Sequence, residues 1–348
     1  MTDIVIVEAV RSPVGRRGGE LSTMHPSDLL SEVQTALVKR SGVDPASVGQ
    51  IVGGCVSQAG EQTANIARTA WLGAGMPLNV AATTVDAQCG SSQQAVTLAY
   101  GLVASGVVDS AIGCGVESMT RNPMGSSYRK GQLTATSKYK ENYEYTSQFQ
   151  GAELLAKKWG ISREECDEFG LRSQENAARA WEEDRFSTQI VQIQTPVLDE
   201  DGKPTGATKT VSRDGGLRPT TLETLSQLSP VLEGGVHTAG ASSQISDGSG
   251  AVLLMTAESA EEQGLKPLAR IVDTCLVGSD PVLMLTGPIE ATNHLLKRNS
   301  MSMSDIDIVE INEAFASVVL AWAKELKPNM DSVNPNGGAI ALGHPLGG

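Results

Sequence analysis

Val80-Ala-Ala-Thr-Thr-Val-Asp-Ala-Gln-Cys89-Gly-Ser-Ser-Gln-Gln-Ala95 is the stretch around which the rest of the chain is arranged. The apolar, β-branched run at 80–85 predicts a strand that stops at Asp86. Small residues follow, and Val96, Leu98, Ala99 and Leu102 carry on as a helix. Cys89 therefore stands where a strand turns into a helix. Unpaired amides and the dipole at a helix N-terminus favour an anion, so a thiol placed there is expected to lose its proton more easily. Gly90 and the two serines leave room for a substrate. The alternative is a packed cysteine acting as a small hydrophobe. On this stretch alone both readings stand.

Outward from Cys89 the chain alternates. Strands are expected at 4–9, 48–55, 80–85 and 107–113, and helices at 26–40, 62–75 and after Cys89. This rhythm, without hairpin turns, predicts a parallel or mixed sheet covered on both faces. From 117 to about 240 the texture changes. Residues 119–145 are polar and irregular, helices follow from 152 and from the capping-box pattern at Ser162, and short strands are expected at 191–198 and 209–212. This reads as an inserted lobe, after which 251–255 can rejoin the first sheet. The second half then repeats the first: strand 269–277, helix 288–298, strand 306–311, helix 314–326 and a short strand 331–334. Leu37-Val-Lys-Arg and Leu295-Leu-Lys-Arg both end a helix and lead through a polar turn into a strand. By that symmetry the second half lacks a central helix and two strands, which implies a chain cut from a longer protein. The domains expected are 1–118 (completed by about 241–265), 119–240 and 266–348.

Composition narrows the function. With 348 residues the chain is long enough for roughly two domains at ~150 residues each. A formal net charge of −13 argues against a general nucleic-acid or anionic-membrane surface, though not against one local basic pocket. Five scattered cysteines without a C-x-x-C pair make neither a disulfide framework nor a zinc site, and they suit a reducing cytoplasm. The first residues lack the basic and apolar regions of a signal peptide, and no apolar run approaches the ~18 residues of a membrane span.

Three clusters join Cys89. Asn312-Glu-Ala-Phe315 lies at the C-terminal end of an expected strand, where side chains face the usual crevice, although Asn312 could equally cap a helix. Gly337-Gly to Gly343-His344-Pro345 holds a histidine in a fixed glycine-rich turn, suited to a base. His237-Thr-Ala-Gly-Ala-Ser-Ser243 is a small-polar loop leading into a strand. Together, and in this order, Asp-x-x-Cys-Gly-Ser, Asn-Glu-Ala-Phe and Asn-x-Asn-Gly-Gly-Ala-x-Ala-x-Gly-His-Pro resemble the thiolases over the whole chain, starting from Glu8-Ala-Val-Arg-Ser-Pro-Val-Gly15.

The resemblance implies the α/β thiolase fold, with duplicated βαβαβαββ halves in a layered αβαβα arrangement and an inserted loop domain that binds coenzyme A. Cys89 would accept the acyl group, and its amide would help form one oxyanion hole. His344 would take its proton, and Asn312 would position a water at a second oxyanion hole. Ser243 would meet the pantetheine, with Ala239 and Gly240 allowing close approach, and Arg218 would meet the adenosine phosphates. Phe149 and Phe315 complete the expected substrate contacts. No metal or permanently bound cofactor is implied; coenzyme A is the co-substrate, and the partners are acyl-CoA and CoA in a homodimer or homotetramer. The activity implied is 3-ketoacyl-CoA thiolysis, with acetoacetyl-CoA synthesis or non-catalytic lipid-CoA binding as alternatives. Ala241 replaces a usual asparagine, and Phe149 stands where glycine is frequent. With residues 233–240, these departures look like actinobacterial thiolases of steroid breakdown and imply a bulky acyl group. The family's second catalytic cysteine, in a Cys-x-Gly motif, has no counterpart in the 348 residues.

Overall fold

The computed structural model describes residues 3–128 and 135–348, so part of the irregular tract at 119–145 lies outside the described residues. Strands β1 (Ile4–Arg11) and β2 (Gly15–Arg16) precede helix α1 (Pro26–Ser41). Proline at the first turn and the His25 side chain accepting from the Ser27 amide start α1, and Gly42 in the left-handed conformation (φ 75°) ends it. Its buried face is Leu29, Leu30, Val33, Leu37 and Val38, at helical spacing. Next come β3 (Gln50–Gly54), α2 (Ile66–Gly73), β4 (Ala81–Val85), α3 (Ser91–Ala104) and β5 (Ser110–Ser118). The helix expected from 62 begins only at Ile66. Asn65, itself left-handed at φ 58°, caps it by accepting from the Arg68 amide.

The inserted region contains α4 (Ser137–Lys140), α5 (Gln148–Trp159), α6 (Arg163–Glu182), the hairpin β6 (Ile193–Leu198) and β7 (Pro204–Val211), and α7 (Leu222–Ser226). The Ser162–Glu165 capping box forms at the start of α6. The chain returns through β8 (Ser246–Thr256), α8 (Ala257–Glu262), β9 (Ala269–Arg270), α9 (Gly287–Arg298) and α10 (Ala316–Leu326). Among the described residues one seven-stranded mixed sheet forms, in the order β4-β3-β5-β8-β1-β9 with β2 beside β8. β3 is parallel to β4 and β5, whereas β8 runs antiparallel to both β5 and β1.

β5 is buried along all nine residues and is the floor on which α3 lies. A Cβ on Gly113 would sit 2.7 Å from the Val96 Cα, so only glycine lets the helix backbone approach the strand this closely. Ala95, Ala99 and Val103 of α3 are buried over Val52, Ala111 and Leu254 of the sheet. α5 and α6 share a second core with α10, in which Leu155, Phe169, Val319, Trp322 and Ile340 are buried together.

The second half departs from its expected strands. Only Ala269–Arg270 pairs, with β1, and 306–311 meets 331–334 through a single Val309–Val333 bridge beside a 3-10 turn at Met330–Ser332. Val272, Leu276 and Ile308 remain 63%, 68% and 63% exposed. β-branched composition makes these segments extended, but a strand also needs a neighbour along its length to take its backbone hydrogen bonds, and beyond these short contacts none is paired among the described residues.

Candidate active site

Cys89 sits one residue before the Gly90 N-cap of α3. The turn that puts it there is built from Asp86, whose carboxylate accepts from the Gln88 amide at 2.7 Å, and from Ser91, whose hydroxyl accepts from the Ala87 amide at 2.9 Å and donates to the Gln88 carbonyl at 2.6 Å. Gln88 takes the left-handed φ of 52° inside it. The electrostatics differ from the sequence expectation. Burial pushes the Cys89 thiol pKa up, its own amide works the other way, and the Glu117 and Asp86 carboxylates add to the rise. The helix terminus is outweighed because desolvation of a thiolate costs more than one partial dipole returns. Resting Cys89 is a thiol in need of a base.

His344 lies across the same cavity, of about 210 Å³, together with Phe149, Ser243, Ala314 and Phe315. Burial pushes its pKa down to about 4, so its imidazole is neutral near pH 7 and free to accept a proton. Its backbone amide is shared between the Gln244 carbonyl (3.2 Å) and the Ser246 hydroxyl (3.1 Å). Gln244 also donates through Nε2 to the carbonyls of Gly216, Ile340 and Ala341, tying down the glycine-rich loop that carries the histidine. The Asn312 amide Nδ2 is 3.4 Å from His344 Nε2. Cys89 and His344 thus share this cavity, while Asn312 meets His344 from a neighbouring cavity of about 550 Å³ that the histidine also lines.

Behind them, Glu313 is buried and accepts from Ser173 Oγ (2.6 Å), Asn334 Nδ2 (2.9 Å) and the Ile340 amide (3.1 Å). A Cβ on Gly338 would reach within 2.3 Å of its carboxyl carbon. Glu117 does the same service on the other side, holding the amides of Val56, Ser57 and Gly347. Neither carboxylate nor Gln244 was singled out as functional from sequence, because their partners lie tens to hundreds of residues away. The run of glycines at 337–338 was the one local sign that something large presses on that loop.

Residues 4–258 match the thiolase N-terminal domain family and residues 265–348 the thiolase C-terminal domain family. The chain belongs to the thiolase family. Among its relatives are the steroid 3-ketoacyl-CoA thiolase FadA6 of Mycobacterium tuberculosis, 44% identical over all of this chain and 85% of that protein, and a Bacillus subtilis 3-ketoacyl-CoA thiolase, 40% identical over all of this chain and 90% of that one. The solved structure of a Bacillus anthracis acetyl-CoA acetyltransferase superposes with a TM-score of 0.89 at 37% identity, covering all of this chain and 89% of the other. Human mitochondrial 3-ketoacyl-CoA thiolase gives a TM-score of 0.88 at 32% identity, with the same coverage.

In this thiolase the remaining expected contacts divide. Ser243 and Ala239 line the Cys89 cavity, and the Ser243 amide donates to the Ala314 carbonyl at 3.0 Å. Gly240 does not line it. A Cβ there would run into Leu225 at 2.3 Å, so this glycine serves the packing of the loop on α7. Gly240 instead lines, with Gln174, Thr220, Leu228 and the exposed Arg218, a separate cavity of about 150 Å³. Cys89 is the one cysteine lining its cavity; Cys114 lines a larger cavity of about 550 Å³ that reaches the other side of His344. Among the described residues no group of three His, Cys, Asp or Glu is arranged to hold a metal ion, and no helix is long and apolar enough to cross a membrane.

Proposed function

We propose that this thiolase cleaves 3-ketoacyl-CoA thioesters with coenzyme A, passing the acyl group through Cys89. The observation that carries the reading is the meeting of a protonated Cys89 and a neutral His344 in one apolar cavity, with Asn312 hydrogen-bonded at the histidine. In this reading His344 takes the thiol proton as sulfur attacks the 3-keto carbon. The new C–S bond forms, the bond between C2 and C3 breaks, and its electron pair leaves as the enolate of acetyl-CoA, which takes from His344 the proton that the Cys89 thiol gave up. A coenzyme A thiol then attacks the acyl-enzyme, releases the shortened acyl-CoA and returns Cys89. Asn312 (through a water it positions) and the Cys89 amide are the proposed donors to the developing oxyanions. Ser243, Ala239, Phe149 and Phe315 would border the pantetheine and acyl group, and Arg218 the adenosine phosphates at the outer cavity. A bulky or steroidal acyl group is supported by the identity to the tuberculosis relative and by the Phe149 ring in the wall. Homodimer or homotetramer assembly and a cytoplasmic location belong to the same proposal.

Mass spectrometry after mixing with a 3-ketoacyl-CoA tests it. An acyl adduct is expected on the peptide holding Cys89, with thiolysis lost by roughly three orders of magnitude or more in Cys89→Ala. Binding of the thioester without any adduct would instead favour a lipid-CoA carrier. A higher kcat/KM for acetoacetyl-CoA than for a steroidal 3-ketoacyl-CoA would overturn the bulky-substrate part alone.

A further inference from the structure

His237 takes no part in the chemistry above, yet it is a buried, fully partnered histidine one layer behind the pocket. It is 1% exposed. Nδ1 lies 2.8 Å from Glu153 Oε1 and Nε2 lies 2.8 Å from Ser317 Oγ. A carboxylate only accepts, so Nδ1 carries the hydrogen facing Glu153, and Nε2 faces the Ser317 hydroxyl. The ring also stands edge-on to Phe315, with centroids 5.4 Å apart and planes at 75°. Phe315 in turn stands edge-on to Phe149 at 5.6 Å and 78°. Phe315 and Phe149 both line the Cys89 cavity.

Each partner belongs to a different wall. Glu153 lies four residues after Phe149 on α5, so the two share a helix face. Ser317 is in the first turn of α10, just after Phe315. His237 itself opens the loop that carries Ala239 and Ser243. Glu153 is already held by the amides of Val236 and His237 at 2.9–3.1 Å, so loop and α5 stay joined without the ring. The loop also meets the segment entering α10 through the backbone, the Ala316 amide donating to the Ala241 carbonyl (2.9 Å) and the Ser243 amide to the Ala314 carbonyl (3.0 Å). Ser317 Oγ lies 3.4 Å from the Ala152 carbonyl of α5, and Nε2–Ser317 is the one side-chain bond by which His237 adds to these.

We propose that His237 is a positioning residue for coenzyme A recognition. Where backbone bonds fix the entry of α10 on the loop, His237 fixes the first turn of α10 through Ser317 and packs edge-on against Phe315, so that the ring keeps its place in the cavity wall. This rests on the coenzyme A reading of the cavity. A merely structural histidine would affect melting but not ligand affinity in the folded protein. The two side-chain amides separate these cases, because an asparagine amide falls near Nδ1 and a glutamine amide near Nε2. Affinity for coenzyme A is measured by titration calorimetry at a temperature where far-UV circular dichroism shows every variant folded. His237→Asn and Ser317→Ala are each expected to bind about 3- to 10-fold more weakly, the worth of one hydrogen bond, whereas His237→Gln stays within about twofold of the wild type. His237→Asn binding as tightly as wild type, or His237→Gln as weakly as His237→Asn, overturns the inference while leaving the thiolase reading intact. Failure of the wild type itself to bind coenzyme A removes that reading and this one with it.

Discussion

Two residues with opposite displacements set the reactivity of the site. Burial raises Cys89 and lowers His344, so at neutral pH the pair is thiol and imidazole, and in the proposed reaction proton transfer waits for the substrate. The pH dependence follows with a definite sign. Iodoacetamide alkylation of Cys89 should climb with pH, with a midpoint above the ordinary thiol value of 9.0. It should show no acidic limb near 6.5, because His344 stays neutral down to about 4. A midpoint below 7 would mean a preformed thiolate–imidazolium pair and would sink the general-base role. The location of Cys89 before a helix was legible from its neighbours. Its raised pKa was not, because Glu117 and the burying walls come from elsewhere in the chain.

At the scale of elements, α3 and α10 matter less for what they contain than for what holds their N-terminal ends. α3 is seated by the bare backbone of β5, and the segment entering α10 is seated by Glu313. Removing that carboxylate leaves the Ser173 hydroxyl, the Asn334 amide and the Ile340 amide without their acceptor in a buried place. Glu313→Ala is therefore expected to lower unfolding free energy by about 3 kcal/mol in urea titration, and Glu313→Gln by less because one acceptor oxygen survives. Equal stability of the two variants would show that the donors find water instead. The helices were read from sequence to within a few residues, since their apolar stripes and caps are local. The strand expected at 269–277 pairs only over 269–270 and that at 306–311 only at Val309, because pairing is a property of the neighbour and not of the segment.

Across the molecule, among the described residues, the sheet ends on β4 (Ala81–Val85), which carries no charged side chain or proline. An edge so undefended is a template for another strand. For the homo-oligomer proposed above, Thr83→Lys is accordingly expected to shift the sedimentation coefficient toward the monomer, and an unchanged coefficient would remove β4 from the assembly. The sequence by itself determined the family, the α/β rhythm, the place of Cys89 at a strand-to-helix turn and the motifs that carry Asn312 and His344, because each rests on residue chemistry at short spacing. Only the tertiary structure decided that Cys89 and His344 share one cavity, that Gly240 and Arg218 line another, and that Gln244 and Glu313 tie down the loop that carries His344. Those facts depend on desolvation and on hydrogen bonds closed between segments remote in the chain, and neither quantity exists until the walls have come together.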